Sequence, residues 1–168
     1  NMSNVEGARL LANKMGVDSA SFFEALSDFG GAAKRLEPVT VKGIAKAYRD
    51  FAHAPSKVTA TVAGVREAYP DKNIVVFLEL HTYSSLNPEF IKNYAKSLDP
   101  ASKAYVYYDK RALEIKQMEA LNPSDVKAAF SRPDMEVLTE KDDLSAAFAQ
   151  DFGENAVVLF LSSGNFGG

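Results

Sequence analysis

An α/β fold with an open, mostly parallel sheet is predicted by three features of the chain. From Pro55 onward, segments of strand character alternate with segments of helical period, the order that builds βαβ crossovers. Two runs, residues 73–80 and 156–161, are nearly continuous in apolar residues, as strands covered on both faces are. Ahead of them, Lys42-Gly43 separates two short strand candidates, which reads as an antiparallel hairpin at the sheet edge. The expected architecture is a Rossmann-like open sheet with helices on both faces, an edge hairpin and a short N-terminal helical lead-in.

The elements follow in order. Ser3 is a plausible N-cap with Glu6 three residues later, as in a capping box. Val5, Ala8, Leu11, Ala12 and Met15 then share a helical face, and Gly16 ends the helix. Asp18 suits the cap of a second helix that carries Phe22, Phe23 and Leu26 inward before Gly30-Gly31. Residues 35–41 form a strand candidate and 44–48 the returning strand. Pro55 suits a first helical turn, and Val58, Val62, Val65 and Tyr69 repeat at spacings of four, three and four, one apolar stripe. After the strand at 73–80, Pro88 opens a helix with Phe90, Ile91, Tyr94 and Leu98 inward, and residues 103–108 form the next strand. Residues 113–121 read as partly helical, 123–130 as a short helix and 135–138 as a short strand. Residues 142–152 form a helix with Leu144, Ala147 and Phe148 inward, and 156–161 the last strand.

Composition narrows the function classes. The chain has 168 residues, 46% hydrophobic and 24% charged, enough for one globular domain with a real core. Net charge is −3 and the basic residues are scattered, so no field for nucleic acid exists. No apolar run approaches the roughly 20 residues of a membrane span, and no signal peptide opens the chain. A soluble, cytoplasmic domain without membrane or nucleic-acid partners is expected. Cysteine is absent, which excludes disulfides and thiolate metal sites. The opening Asn1-Met2-Ser3-Asn4 lacks an initiator methionine and enters a helix directly, as a piece of a longer protein would.

In an open parallel sheet, ligands bind beyond the carboxyl ends of the strands. Three polar loops fall there: residues 49–56, 81–87 and 162–168. Their convergence on one edge is expected from topology. The stretch from Arg49 to Lys57 gathers Asp50, His53 and Lys57 at a strand-to-helix turn, where free backbone N–H groups attract anions. The chain has no G-x-x-x-x-G-K-[ST], no G-x-G-x-x-G after a strand, no H-E-x-x-H and no G-x-S-x-G. Its only histidines, His53 and His81, have no carboxylate at metal-ligand spacing, so no metal site is expected from this chain alone.

Four segments carry a resemblance. Asp50-Phe51-Ala52-His53-Ala54-Pro55 resembles the D-[FY]-[AG]-H-x-P turn in the C-terminal domain of the Mur ligases, ATP-dependent amide-forming enzymes of peptidoglycan synthesis. Asn1 to Asn4 resembles the end of the family's H-N-x-x-N element. Phe29 to Glu37 is similar to its F-x-x-x-x-R-R-[LF]-E segment, with Lys34-Arg35 for the arginine pair. Ser162-Ser163-Gly164-Asn165-Phe166-Gly167-Gly168 is similar to the S-N-G-G-F-G-G ending of one branch, the murein peptide ligases. His81-Thr82-Tyr83-Ser84 instead resembles the H-R-Y-[ST] loop of the UDP-N-acetylmuramate–L-alanine ligases. Arg49 and Ala54 depart from the family, which often has Asp and His at those positions.

The resemblance implies a division at residue 30. Residues 1–30 would be a lead-in from the end of a central ATP-binding domain, and 31–168 the C-terminal domain. It implies that Asn1 and Asn4 contact adenine, that Arg35 reaches the nucleotide phosphates, and that Asp50 sits near the γ-phosphate and its Mg²⁺ as the catalytic residue. His53 would lie beside the nucleotide. ATP and Mg²⁺ would be bound mainly by central and N-terminal domains outside this chain, so the isolated domain is expected to be inactive. His81, Tyr83, Ser84, Ser162, Ser163, Asn165 and Phe166 are the implied substrate contacts. The reaction implied joins UDP-N-acetylmuramate to the tripeptide L-Ala-γ-D-Glu-meso-diaminopimelate through an acyl phosphate, as in cell-wall recycling. The alternatives are an L-alanine-adding ligase and a non-catalytic α/β binding module. For Arg35 and Asp50, the plainer alternative is an ion pair across neighbouring strands.

Overall fold

The computed structural model describes residues 2–167. Two compact units, Asn1–Ala32 and Ala33–Gly168, divide the chain. In the first, α1 (Met2–Lys14) and α2 (Ser19–Ser27) bury no residue. Ser3 lies inside α1 and is no N-cap, and Glu6 is held by Arg9 one turn on at 2.5 Å. Asp18 does cap α2, accepting from the Ser21 N–H at 3.0 Å. Phe22 and Leu26 are half-buried, but Phe23, expected inward, is 50% exposed. At 3.6 residues per turn Phe23 lies about 100° round the helix from Phe22, at the rim of the stripe that Phe22 and Leu26 form.

The second unit holds a six-stranded sheet. Its strands are β1 (Glu37–Val41), β2 (Ile44–Asp50), β3 (Asn73–Glu79), β4 (Lys103–Tyr107), β5 (Glu136–Leu138) and β6 (Ala156–Leu161). Their order across the sheet is β1-β2-β6-β3-β4-β5, and β1–β2 is the antiparallel pair while the others run parallel. Between them lie α3 (Pro55–Ala68), a 3-10 turn (Phe90–Tyr94), α4 (Lys110–Ile115), α5 (Pro123–Phe130) and α6 (Lys141–Phe148).

Several boundaries differ from the sequence expectation. β1 starts at Glu37 and not Arg35, because Lys34 and Leu36 adopt left-handed backbone at φ 56° and 47°. β2 runs on to Asp50, because Arg49 and Asp50 pair with Phe160 and Leu161 of β6. Past Pro88 there is only the 3-10 turn: the Asn87 side chain accepts from the N–H groups of Glu89 and Phe90, and Ala95 leaves helical geometry at ψ 126°. The helix expected within 113–121 begins at Lys110, where Asp109 caps it through the Arg111 N–H, and Gln117 at φ 52° stops its continuation. α6 ends at Phe148, short of residue 152.

The apolar strands divide their side chains by strict alternation. Ile74, Val76 and Leu78 of β3, Ala104 and Val106 of β4, and Val157, Leu159 and Leu161 of β6 face the larger core, with Val58, Val62 and Val65 of α3, Ile91 and Tyr94 of the 3-10 turn, and Val126 and Phe130 of α5. Val75, Phe77, Tyr105, Tyr107 and Val158 face the other side with Ala47 and with Leu144 and Ala147 of α6. There Phe77 stacks on Tyr105 at 4.5 Å and on Phe160 at 5.5 Å, with Phe148 edge-on at 4.8 Å. Leu78 is fully buried in mid-strand. Leu78→Ala is expected to cost about 2–5 kcal/mol, read as a lower midpoint in urea denaturation; an unchanged midpoint contradicts this packing.

Candidate functional site

The site begins with strand order. β6 lies between β2 and β3 and parallel to both, so the loops leaving these three strands emerge side by side. The Ser162 N–H donates to the Asp50 carbonyl at 3.0 Å, carrying the β6 loop alongside the β2 loop. Glu79 and the His81 ring lie against Gly164 from the β3 side. A cleft of about 290 Å³ opens here, lined by Lys34, Arg49, Asp50, Ser162, Asn165 and Phe166 among others.

Asp50 shapes the β2 side of the cleft. Its Oδ2 accepts the Leu36 N–H at 2.7 Å, and its Oδ1 accepts the Ala52 N–H at 2.7 Å. The Phe51 N–H donates to the Lys34 carbonyl at 2.7 Å, so the loop before β1 is strapped to the end of β2. Arg35 rides on that loop, exposed, between the left-handed residues Lys34 and Leu36. Among the described residues Arg35 forms no ion pair; the pair crossing β1 and β2 is Arg49–Glu37, bidentate at 2.9 Å. That contact holds the Glu37 carboxyl below its ordinary range and raises the Arg49 guanidinium. The Arg35–Asp50 ion pair is therefore absent, and Asp50 is engaged by backbone instead.

His53 stands where α3 begins. Its Nδ1 lies 2.9 Å from the Phe51 carbonyl and donates to it, which leaves Nε2 as the acceptor of the neutral ring. The ring meets Phe51 edge-on at 5.1 Å, and the Tyr94 hydroxyl donates to the His53 carbonyl. Burial pushes the Tyr94 phenol up to about 12, which keeps that donor protonated. Pro55 occupies the first turn of α3 and has no N–H, Ala54 supplies no side-chain cap, and the Lys57 N–H donates to the Ala54 carbonyl at 2.9 Å.

The β6 loop is held from below by a residue the sequence reading missed. Glu79 is 5% exposed, and its Oε2 accepts from the Ser162 hydroxyl and from the Phe166 N–H at 3.0 Å. Ser162 Oγ in turn accepts the Gly164 N–H at 2.7 Å. Phe166 sits at φ 54° and Gly167 at φ 81°, and Lys141 donates to the Gly167 carbonyl at 2.9 Å. The Phe166 ring packs edge-on against Phe148 at 5.7 Å and Phe160 at 6.3 Å. Burial first, then the negative charges of Asp109 and Glu79, raise the Tyr107 phenol above its ordinary value beside this loop. The signal available in the sequence was an acid closing an otherwise apolar strand, in phase with Phe77.

The expected site residues are thus partly assembled. Asp50, Ser162, Asn165 and Phe166 line the cleft, and His81 borders Gly164. Ser163 Oγ is buried without a hydrogen-bond partner. Tyr83 is 63% exposed with Lys116 Nζ 4.5 Å over its ring, and Ser84 Oγ lies 3.2 Å from Thr82 Oγ1; neither lines the cleft. Asn4 is exposed on α1 in the first unit, and Asn1 lies outside the described residues.

Fold and cleft together define an α/β domain with a crevice at the carboxyl edge of its parallel strands, the place where open sheets of this kind hold ligands. The sequence model of the family described as "Mur ligase, glutamate ligase domain" matches residues 34–164, and the chain belongs to that family. A UDP-N-acetylmuramate–L-alanine ligase of Caldicellulosiruptor bescii is 36% identical over 106 residues, covering 63% of this chain and 23% of that protein. A murein peptide ligase from Psychrobacter arcticus superposes with a TM-score of 0.72 and 22% identity, over 98% of this chain and 34% of that one. The MurF ligase of Thermotoga maritima, solved with ADP, superposes with a TM-score of 0.64 and 15% identity, over 95% of this chain and 34% of that one. The chain spans about a third or less of the length of these relatives.

Two outcomes follow for the loops around the cleft. Asp50→Ala leaves the Leu36 and Ala52 N–H groups without their acceptor, and is expected to cost about 1–3 kcal/mol in urea denaturation. A Cβ at Gly164 meets Glu79 Oε2 at 2.7 Å and the His81 ring at 3.2 Å, so Gly164→Ala is expected to destabilise by about 1–3 kcal/mol. Wild-type stability in either variant contradicts the geometry described.

Proposed function

We propose that this chain is the C-terminal domain, with a helical lead-in over residues 1–30, of an ATP-dependent ligase that joins UDP-N-acetylmuramate to an amine beginning with L-alanine. The observation that carries this reading is the family match over residues 34–164, which includes Arg35, Asp50, His53 and most of the β6 loop; of these, Asp50 and the β6 loop line the cleft. The residues suit a triphosphate. Arg35 is exposed and unpaired among the described residues, and α3 begins without a side-chain cap; the His53 Nε2, an acceptor, suits a hydroxyl or amine of the nucleotide. Asp50 already accepts two N–H groups, yet each carboxylate oxygen has a second lone pair for a solvated cation. ATP supplies the phosphoryl group that activates a carboxylate. Within this chain, Arg35 would bind phosphate oxygens, Asp50 would hold the Arg35 loop in place and face the Mg²⁺ shell, and His53 would orient the nucleotide. The ADP in the MurF structure supports nucleotide use.

For the amine, the Ser162–Gly168 loop supports the tripeptide L-Ala-γ-D-Glu-meso-diaminopimelate, with Ser162, Ser163, Asn165 and Phe166 as contacts. A second reading, free L-alanine, is supported by His81-Thr82-Tyr83-Ser84 and by the 36% identical alanine ligase. Remaining domains, outside this chain, would supply most of the nucleotide site, so the purified 168-residue chain is expected to release no phosphate.

The test is phosphate release by the complete protein with ATP, Mg²⁺ and UDP-N-acetylmuramate, comparing tripeptide with L-alanine. Release with tripeptide is expected. Release with alanine alone moves the chain to the second reading, and release with neither, or turnover by the isolated chain, overturns the proposal.

A further inference from the structure

We infer that Glu79 is a positioning residue for the amine-substrate loop: its buried carboxylate holds Ser162–Gly167 in the shape that binds the incoming amine. The inference rests on the ligase reading above. It starts from a cost. A carboxylate only 5% exposed loses most of its hydration, and such burial is tolerated only where strong donors replace the water. Here the donors are the Ser162 hydroxyl and the Phe166 N–H, both from the loop after β6 and both on Oε2.

Register explains why these groups meet. Leu78 of β3 is paired with Leu161 of β6, so Glu79 and Ser162 are the next residues along two adjacent parallel strands. Alternation puts both on the face that carries Phe77, Phe160 and α6. The second donor comes from Phe166, whose φ of 54° a bulky residue rarely adopts. Such a backbone persists only where its surroundings over-determine it. Four contacts do so: Glu79 on its N–H, Phe148 and Phe160 on its ring, and Lys141 on the next carbonyl. Of these, Glu79 alone also reaches the start of the loop, through Ser162. It fixes the loop at both ends and leaves Asn165, at the tip, exposed on the cleft.

The role is distinct from that of Asp50. Asp50 holds the loop bearing Arg35, on the phosphate side of the proposed site, whereas Glu79 holds only the loop assigned to the amine. Loss of Glu79 is therefore expected to act on one substrate and not on the other.

The experiment has two arms. In the 168-residue chain, amide hydrogen exchange is followed by NMR for wild type, Glu79→Ala, Glu79→Gln and Ser162→Ala. Glu79→Ala is expected to speed exchange at Phe166 by about tenfold or more, the scale of a lost charge-assisted hydrogen bond, with β3 and β6 amides unchanged. Glu79→Gln keeps an acceptor oxygen of the same reach and is expected to restore most of the protection. Ser162→Ala, which leaves the Phe166 contact, is expected to loosen Gly164 more than Phe166. Unchanged exchange at Phe166 in Glu79→Ala overturns the inference. So does Glu79→Gln behaving like Glu79→Ala.

In the complete protein, Glu79→Ala is expected to raise the amine KM about tenfold or more and leave the ATP KM near wild type, with Glu79→Gln again close to wild type. Equal rises in both KM values, or no rise, overturn the positioning role. Should wild-type protein release no phosphate with either amine, the ligase reading falls, and the exchange arm still decides whether Glu79 governs the loop.

Discussion

The position of β6 is the constraint on which the second unit depends. It is the last strand in the chain, yet it pairs with β2 on one side and β3 on the other. Without it the β1–β2 hairpin would have no partner in the sheet, and β2 would end as an edge. The same insertion creates the crevice. Three parallel strands that lie side by side deliver three loops to one edge, and ligands of open sheets sit at such places. Closing these pairings across more than 80 residues of chain, as the Glu79–Phe166 bond does, is unfavourable until the flanking apolar faces are buried. The near-complete burial of Ile74, Leu78, Val158 and Leu159 offsets that cost.

Two carboxylates do similar work on opposite sides of β6. Asp50 ends β2 and accepts backbone N–H groups from its own turn and from the loop before β1. Glu79 ends β3 and accepts from both ends of the loop after β6. Each sits beside residues in left-handed backbone: Lys34 and Leu36 near Asp50, Phe166 near Glu79. Carboxylate acceptors bind N–H donors more strongly than carbonyls do, and that extra strength suits loops which the chain alone would not adopt. The acids set the shape, and Arg35 and Asn165 are what the shaped loops present.

The second apolar cluster joins this edge to the core. Phe166 packs on Phe148 and Phe160, and these on Phe77. A loop tied into a stacked aromatic group moves only if the group repacks, because interiors of this density resist gradual deformation. The cleft is thus firmly built on its β6 side, whereas Tyr83, outside it, lies exposed under Lys116.

Much of this was legible in the amino-acid order. The apolar runs at 73–80 and 156–161, the stripe Val58-Val62-Val65 and the Lys42-Gly43 hairpin all became the expected elements, because burial on a fixed period is a local property of the chain. The convergence of the loops after β2, β3 and β6 also followed from alternating strands and helices. Other features were not legible. Left-handed Lys34 and Leu36 shortened β1, since no Gly marks those turns. Asp109 started α4 early, since its cap competes with an apolar pattern that points further on. Glu79 read as the polar end of a strand.

The sequence by itself thus determined most of the strands and helices, the apolar faces of the sheet, and which loops carry polar groups. Only the tertiary structure decided that Asp50 spends its carboxylate on backbone and forms no pair with Arg35, and that Glu79 meets Ser162 and Phe166. The physical reason is that burial follows from short-range periodicity, whereas the partner of a hydrogen bond depends on strand order and register, which are set only when β6 enters the sheet.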